Sequence, residues 1–262
     1  MAAIGTVESL WRYPVKSMAG ETLDEAFVGF AGVYGDRLYA FKSSLGDAVF
    51  PYFTGREQAQ MLRFRPRFRE PARAAKPGCW AEALKESPSL NPCFDDPDGL
   101  DLEILAPDGA VFAVDDPALP GRLTAGVAEA HDLTLLRSER ALTDCRPLSL
   151  ISLQTVAQLA AELGQEVDPR RFRANLYLDL ADAAGFAEDE FVGGSFKIGE
   201  QVRIAVVDRD PRCKMITLDP ETGEMDPKLL QKVGRGHGGR AGVYGVVLQE
   251  GLVRPGDAVT PL

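Results

Sequence analysis

Histidine is almost missing from this chain: His131 and His237 are the only two among 262 residues. Two are too few to build a multi-histidine zinc, copper or non-haem iron centre from this chain alone. Cysteine is sparse and scattered. Cys79, Cys93, Cys145 and Cys213 form no CxxC pair that would begin a zinc site or hold an iron–sulfur cluster, so no built-in cluster is expected. Any metal held here has thiolate as its expected anchor. Basic residues are also in deficit, 29 Lys and Arg against 39 Asp and Glu, which gives a formal net charge of -10 and repels nucleic acid and anionic membrane surfaces. Long apolar runs are absent as well. The opening MAAIGTVESLWRYPVKS contains neither a cationic leader nor an apolar span. The expectation is a soluble, cytoplasmic protein with no nucleic-acid or membrane partner.

Hydrophobic residues make up 45% of the chain, enough for a core without a disulfide scaffold. The 26 glycines and 18 prolines break it into short segments, which favours strands and turns over long helices. The fold class expected is mainly β with a few helices (α+β). Val202, Ile204 and Val206 alternate with Arg203 and Ala205, predicting a strand that reaches Asp208–Pro211, and Leu176, Leu178 and Leu180 alternate likewise. The run after Cys213 reads as a further strand ending in a Pro220–Gly223 turn. One helix is expected after Ser152 as N-cap, stopping at Gly164, and a second from Asp226-Pro227 to Gly234. Residues 70–99 carry many prolines without a sustained period and read as a surface excursion, with a helical turn or two at 80–86. The Asp- and Pro-rich stretch 115–121 suggests a division near residue 120, giving parts 1–119 and 120–262.

Gly234-Arg235-Gly236-His237-Gly238-Gly239 is a literal GxGxxG, but it follows a predicted helix and precedes a predicted strand, the reverse of a dinucleotide-binding context. It reads as a connector. Cys213 is more informative, because it follows Pro211-Arg212, precedes Lys214 and lies at a predicted strand end, where flanking cations favour thiolate over thiol. Such a thiolate suits a nucleophile or a ligand to a soft or high-valent metal, while the plain alternative is a small packed residue. A cysteine hydrolase would also need His237 or His131 as a base, and neither is marked as a partner. Cations recur at segment ends: Lys16, Arg37, Arg146 and Arg173. Together they would suit a phosphate-bearing ligand.

Tyr13-Pro14-Val15-Lys16-Ser17, Gly35-Asp36-Arg37, Phe172-Arg173-Ala174-Asn175 and Pro211-Arg212-Cys213 through Leu218-Asp219-Pro220-Glu221-Thr222-Gly223 are the segments that carry a family likeness. With them the chain resembles the MOSC family, named for the C-terminal domain of molybdenum cofactor sulfurases, together with its N-terminal β-barrel domain. The resemblance implies a MOSC-type β-barrel over 120–262 preceded by an N-terminal β-barrel-like domain over 1–119. It also implies molybdenum cofactor, a molybdenum centre on a pyranopterin, with the Cys213 thiolate as protein ligand to the metal and as the catalytic position. By likeness to the amidoxime-reducing members, Lys16, Ser17, Arg37, Arg173, Asn175 and Arg212 would hold the pterin and phosphate groups.

The activity implied is a molybdenum-dependent oxidoreductase that reduces small N-hydroxylated or N-oxygenated compounds. The other function such a site serves is that of a non-redox cofactor carrier or sulfur-transfer accessory protein. Three departures from the reductase pattern stand out. Cys145-Arg146 precedes Pro147 where those reductases carry a small hydroxylated pair, which makes Arg146 a further cofactor candidate. Pro211 replaces a serine and removes a hydroxyl and an N–H. No cysteine-bearing ferredoxin extension follows Pro261-Leu262, so a separate electron-donor protein is the expected partner.

Overall fold

The computed structural model describes residues 2–82 and 100–262. Its largest element is a closed barrel of seven strands, in the order Leu176–Leu180, Leu148–Ser152, Arg240–Gln249, Val202–Pro211, Ser195–Ile198, Ala258–Pro261 and Gly5–Arg12, the last pairing back to Leu176–Leu180. Closure removes the exposed strand edges that an open sheet must otherwise protect. Glu21–Leu23 is added outside the ring on Gly5–Arg12. The alternation expected at 202–206 is present: Val202, Ile204 and Val206 are buried with Val7, Leu10, Leu150, Leu178 and Val259 in one apolar cluster.

Every barrel pair is antiparallel except Leu148–Ser152 with Leu176–Leu180. Parallel neighbours need a crossover, and the helix Leu153–Leu163 supplies it. Ser152 is its N-cap, its Oγ accepting from Thr155 N at 3.0 Å, and Gly164 ends it in the left-handed conformation. This helix and Lys228–Gly236 cover one side of the barrel, over a cluster that includes Ile151, Val156, Leu159, Tyr177, Ile216 and Val233. Leu148–Ser152 is therefore buried on both faces, and all five of its residues are buried.

Two expectations need correction. The segment after Cys213 is a 3-10 turn, Lys214–Thr217, and not a strand: Ile216 N donates to Cys213 O and Leu218 N to Met215 O, which tucks Ile216 and Thr217 under the second helix. The hairpin turn itself is present, closed by the bridge Leu218↔Met225. The second helix continues two residues past Gly234 to Gly236, since Gly234 keeps a helical backbone and the reversal to positive φ waits until Gly238. Of the 70–99 excursion, residues 83–99, Cys93 among them, lie outside the described residues. The described part reaches Trp80, which packs on Phe27 with ring centroids 4.8 Å apart.

The rest of the chain forms three small sheets. Two of them surround a second core that includes Phe41, Phe53, Met61, Leu102 and Ile104, while the third, of Ala26–Gly29, Gly32–Val33 and Gly251–Val253, buries Ala26, Val28, Val33 and Val253 in the barrel cluster. Strand pairing crosses position 120 in both directions. Gly5–Arg12 belongs to the barrel, Leu133–Arg137 pairs with Tyr39–Ser43, and Gly251–Val253 pairs with Ala26–Gly29. Main-chain hydrogen bonds therefore join the two halves, and a cleft between them has walls from both. Among the described residues, no helix is long and apolar enough to cross a membrane.

Candidate functional site

Such a cleft lies at the end of the Val202–Pro211 strand, enclosing about 110 Å³. Lys16, Ser17, Arg37, Arg146, Arg173, Asn175, Arg212 and Cys213 all line it, although they come from five separate stretches of sequence. Seven of the lining residues are Lys or Arg and two are Asp. A chain of net charge -10 has thus gathered an excess of positive charge in one concavity, where low-dielectric walls strengthen the field on an anion.

The backbone is strained at this place. Six non-glycine residues among those described have positive φ, and three of them, Ser17, Arg37 and Arg173, line the cleft. Each departure costs of order 1–3 kcal/mol and is held only where surroundings over-determine it. Here the surroundings are visible for Arg37 and Arg173. Arg37 N donates to Tyr13 O, and its Nη2 donates to Arg173 O at 2.9 Å. Both guanidinium groups lie over the buried Tyr13 ring, 4.4 and 4.2 Å from its centroid. Asp36, buried, pairs with Arg37 at 2.6 Å.

Arg56 Nε, Arg212 Nη2 and Arg173 Nη2 are all buried here without a hydrogen-bond partner among the described residues. Arg56 and Arg212 are engaged through their other nitrogens or an ion pair, which leaves Arg173 as the one of the three whose guanidinium has neither a hydrogen bond nor an ion pair among the described residues. Burial and then repulsion from Arg37 pull its pKa down to about 10, so it stays charged at neutral pH. Arg212 is the opposite case. Its Nε donates to Ala241 O at 2.7 Å, Nη1 to Phe172 O at 2.8 Å, and Nη2 lies 2.9 Å from Asp210. Gly242 gives it room: φ there is +76°, and a Cβ would stand 2.6 Å from Leu150 O. Asn175 is likewise engaged, donating to Trp11 O and accepting from Ser149 N, both at 3.3 Å. Arg212 and Asn175 brace the walls, while Arg173 and the exposed Arg146 offer donors to a ligand.

Cys213 sits half-buried two residues past the strand end, as the N-cap of the 3-10 turn. Arg56 Nη2 donates to its sulfur at 3.4 Å. The sequence reading missed Arg56, because a lone Arg after Thr54-Gly55 carries no periodic or motif signal. It also missed Asp144, which ion-pairs with Lys16 and, at 3.4 Å, with Arg56. Lys16 is buried, and its Nζ donates to Leu142 O at 2.7 Å as well, so the 142–144 segment is tied to the cleft wall. Burial pulls the Lys16 pKa down, with Asp144 opposing.

Neither histidine lines this cleft. His131 Nδ1 bonds Ser43 Oγ at 2.8 Å, and His237 Nε2 meets Glu162 at 3.0 Å while its ring stacks on Phe186. The GxGxxG run spans a helix C-terminus and the turn before a strand, with no helix N-terminus to meet a phosphate. Cys145 and Cys213 both face the cleft as free thiols. Among the described residues, no group of three or more His, Cys, Asp or Glu is placed to hold a metal ion.

Comparison with known proteins gives matches along most of the chain. Residues 137–260 match the MOSC domain and residues 4–78 the MOSC N-terminal beta barrel domain. Over 250 residues the chain is 25% identical to mitochondrial amidoxime reducing component 2 of Bos taurus, covering 86% of this chain and 70% of that protein. Over 124 residues it is 30% identical to molybdenum cofactor sulfurase of Caenorhabditis briggsae, covering 47% of this chain but only 17% of the relative. Among solved structures, the YuaD protein from Bacillus subtilis aligns at TM-score 0.48 and 12% identity over 97% of this chain and 93% of that one. YiiM from Geobacillus stearothermophilus aligns at TM-score 0.35 and 19% identity over 45% of this chain and 54% of that one.

Proposed function

Because the chain belongs to the MOSC family, with the N-terminal β-barrel domain that accompanies it, we propose that it binds molybdenum cofactor in the Cys213 cleft and reduces N-hydroxylated compounds with electrons from a separate donor protein. The observation that carries this reading is the convergence of the Cys213 thiol and an excess of cations on a single cleft, with the Arg173 Nη2 donor buried and unpartnered there. The donor set fits the group: thiolate is a ligand for a soft or high-valent metal, and Arg173, Arg146, Arg37 and Lys16 suit a phosphate. When bound, the cofactor supplies the two-electron redox step that removes oxygen from the substrate as water.

The chain's own residues then have separable tasks. Cys213 holds the metal, and Arg56, donating to its sulfur, orients that ligand. Tyr13 sets Arg37 and Arg173 side by side against their mutual repulsion. Turnover tests the reading: a simple amidoxime should oxidise a reduced artificial donor in a substrate-dependent manner, with the amidine as product. Tight cofactor binding without turnover would favour the carrier alternative. Two observations lend that alternative weight, the sulfurase relative and the exposed Cys145 thiol on the same cleft.

Asp144 makes a further expectation. Asp144 lines the cleft that a phosphorylated pterin would enter, paired there with Lys16 and Arg56. Asp144 competes with the ligand's phosphate for Lys16 and Arg56. Asp144→Asn should speed cofactor uptake by about 2- to 5-fold at low ionic strength, the range of a half-exposed ion pair. Slower uptake or lower final occupancy in reconstitution would show that the carboxylate helps to hold the ligand.

A further inference from the structure

A second cleft, of about 790 Å³, shares Arg173 with the first. Three of its arginines come from one short stretch. In the strand Arg65–Phe68, Arg65 and Arg67 point outward while Pro66 and Phe68 are buried, and Arg63 precedes them at the same two-residue spacing. Same-face residues on a strand stand roughly 6.5 Å apart. Arg170 and Arg173 add two more cations, and the half-buried Trp11 adds an aromatic surface, stacked on Tyr13 at 6.3 Å.

Only Glu21 and Glu221 offset these five arginines in the lining. Glu21 pairs with Arg12, outside the cleft lining, and Glu221 is shared between Arg65 at 3.0 Å and Arg170 at 2.5 Å. Arg170 is also held by Asp168 at 2.7 Å, which leaves Arg63, Arg67 and Arg173 without a carboxylate partner among the described residues. Arg67 has no hydrogen-bond or ion-pair partner among the described residues. Charged residues on an outer strand are a common guard against edge pairing. A guard does not need a concavity, a tryptophan in its wall, or cations delivered from a second element.

We propose that this second cleft binds a small organic polyanion with a flat ring system, a nucleotide carrying two or three phosphates. Its volume lies within the range of ordinary ligand pockets, about 300–1,000 Å³. Forked guanidinium donors match phosphate oxygens, and an indole face receives a base. The net charge of -10 disfavours extended nucleic acid. A protein partner is disfavoured because none of the large hydrophobic residues exposed on the described surface lines the cleft, whereas stable interfaces have an apolar centre. The inference stands apart from the molybdenum reading, since Arg63, Arg65 and Arg67 line only the second cleft.

The chain's two tryptophans make the test direct, because Trp80 is buried against Phe27 and Trp80→Phe leaves Trp11 as sole reporter. ATP titrated into that variant, without molybdenum cofactor, should change Trp11 emission saturably, with calorimetry giving the same micromolar affinity. The double variant Arg65→Ala/Arg67→Ala should weaken binding at least about tenfold. Arg67→Lys should recover part of the loss, which separates a charge effect from misfolding. Adenosine and inorganic triphosphate should each bind more weakly than ATP. The proposal is overturned by an absence of saturation at millimolar ATP, by an unchanged affinity in the double variant, or by triphosphate or adenosine alone binding as tightly as ATP. Displacement of ATP by a poly-glutamate peptide of higher affinity would also overturn it, in favour of an acidic protein partner.

Discussion

Cys213→Ser protein, purified from a host with an intact cofactor pathway, should contain background molybdenum where the unmodified chain contains a stoichiometric amount, and should reduce no amidoxime. The two side chains differ by one atom, and among the described residues the only side-chain hydrogen bond at that sulfur is the one from Arg56. The substitution therefore changes ligand chemistry with little change in packing. A thiolate is a ligand for a soft or high-valent centre, whereas a serine hydroxyl is not an anion at neutral pH and is a poor one. Thermal unfolding of the cofactor-free forms should agree to within about 0.5 kcal/mol, the range of substitutions that open no cavity and bury no new charge. Arg56→Ala should lower metal retention by about 10- to 100-fold, as loss of a residue that orients a metal ligand does. Full metal content in Cys213→Ser would defeat the assignment. Neither metal nor pterin in either protein would mean that the barrel serves as a cofactor-free scaffold.

How much of this was legible in the sequence depended on the range of the interaction. The crossover helix was readable because its signals are local: Ser152 at the start, Gly164 at the end and an apolar face between. The Val202–Pro211 strand was readable for the same reason, as its alternation matches a wall with one apolar face. The 3-10 turn after Cys213 was not, since Met215, Ile216 and Leu218 would pattern equally well in a strand, and packing under a helix ten residues later decides between them. Barrel closure by Gly5–Arg12 was hidden altogether, because nothing in that segment records a partner some 170 residues away.

The site divides along the same line. Lys16, Ser17, Arg37, Arg173, Asn175, Arg212 and Cys213 stood out through the family motifs, and Arg146 as a departure from them. That all eight reach one cleft is a property of the fold. What the motifs did not separate is which of them have donors to give. Arg173 and Arg212 look equivalent in sequence, and each keeps a buried Nη2 without a hydrogen bond. Yet Arg212 donates to two main-chain carbonyls and ion-pairs with Asp210, whereas the Arg173 guanidinium has no hydrogen bond or ion pair among the described residues.

That distinction leads to the second large effect, on stability. Asp210→Ala should destabilise the folded chain by about 3–5 kcal/mol, because it leaves the Arg212 charge buried without its counter-ion. Asp210 is buried, lies 2.9 Å from Arg212 Nη2 and accepts from Ser149 Oγ at 2.9 Å. Against a typical total of about 5–15 kcal/mol, a loss of that size would be a large fraction, read as a lower urea midpoint at unchanged slope. Replacing both partners by apolar residues, Asp210→Leu with Arg212→Met, should recover most of it, since the large cost belongs to the unpaired charge and not to the pair. Burial raises the Asp210 carboxyl pKa, with Arg212 and Ser149 opposing. The folded chain therefore holds that proton more tightly than the unfolded one. From this group alone, stability falls as pH rises from the ordinary carboxylate range through the folded value. Asp210→Asn has nothing to titrate there, so its stability should lack that fall, and the gap between it and the unmodified chain should change across the same window. A gap constant with pH, or a loss below about 1 kcal/mol in Asp210→Ala, would mean that Arg212 is held by Phe172 and Ala241 alone.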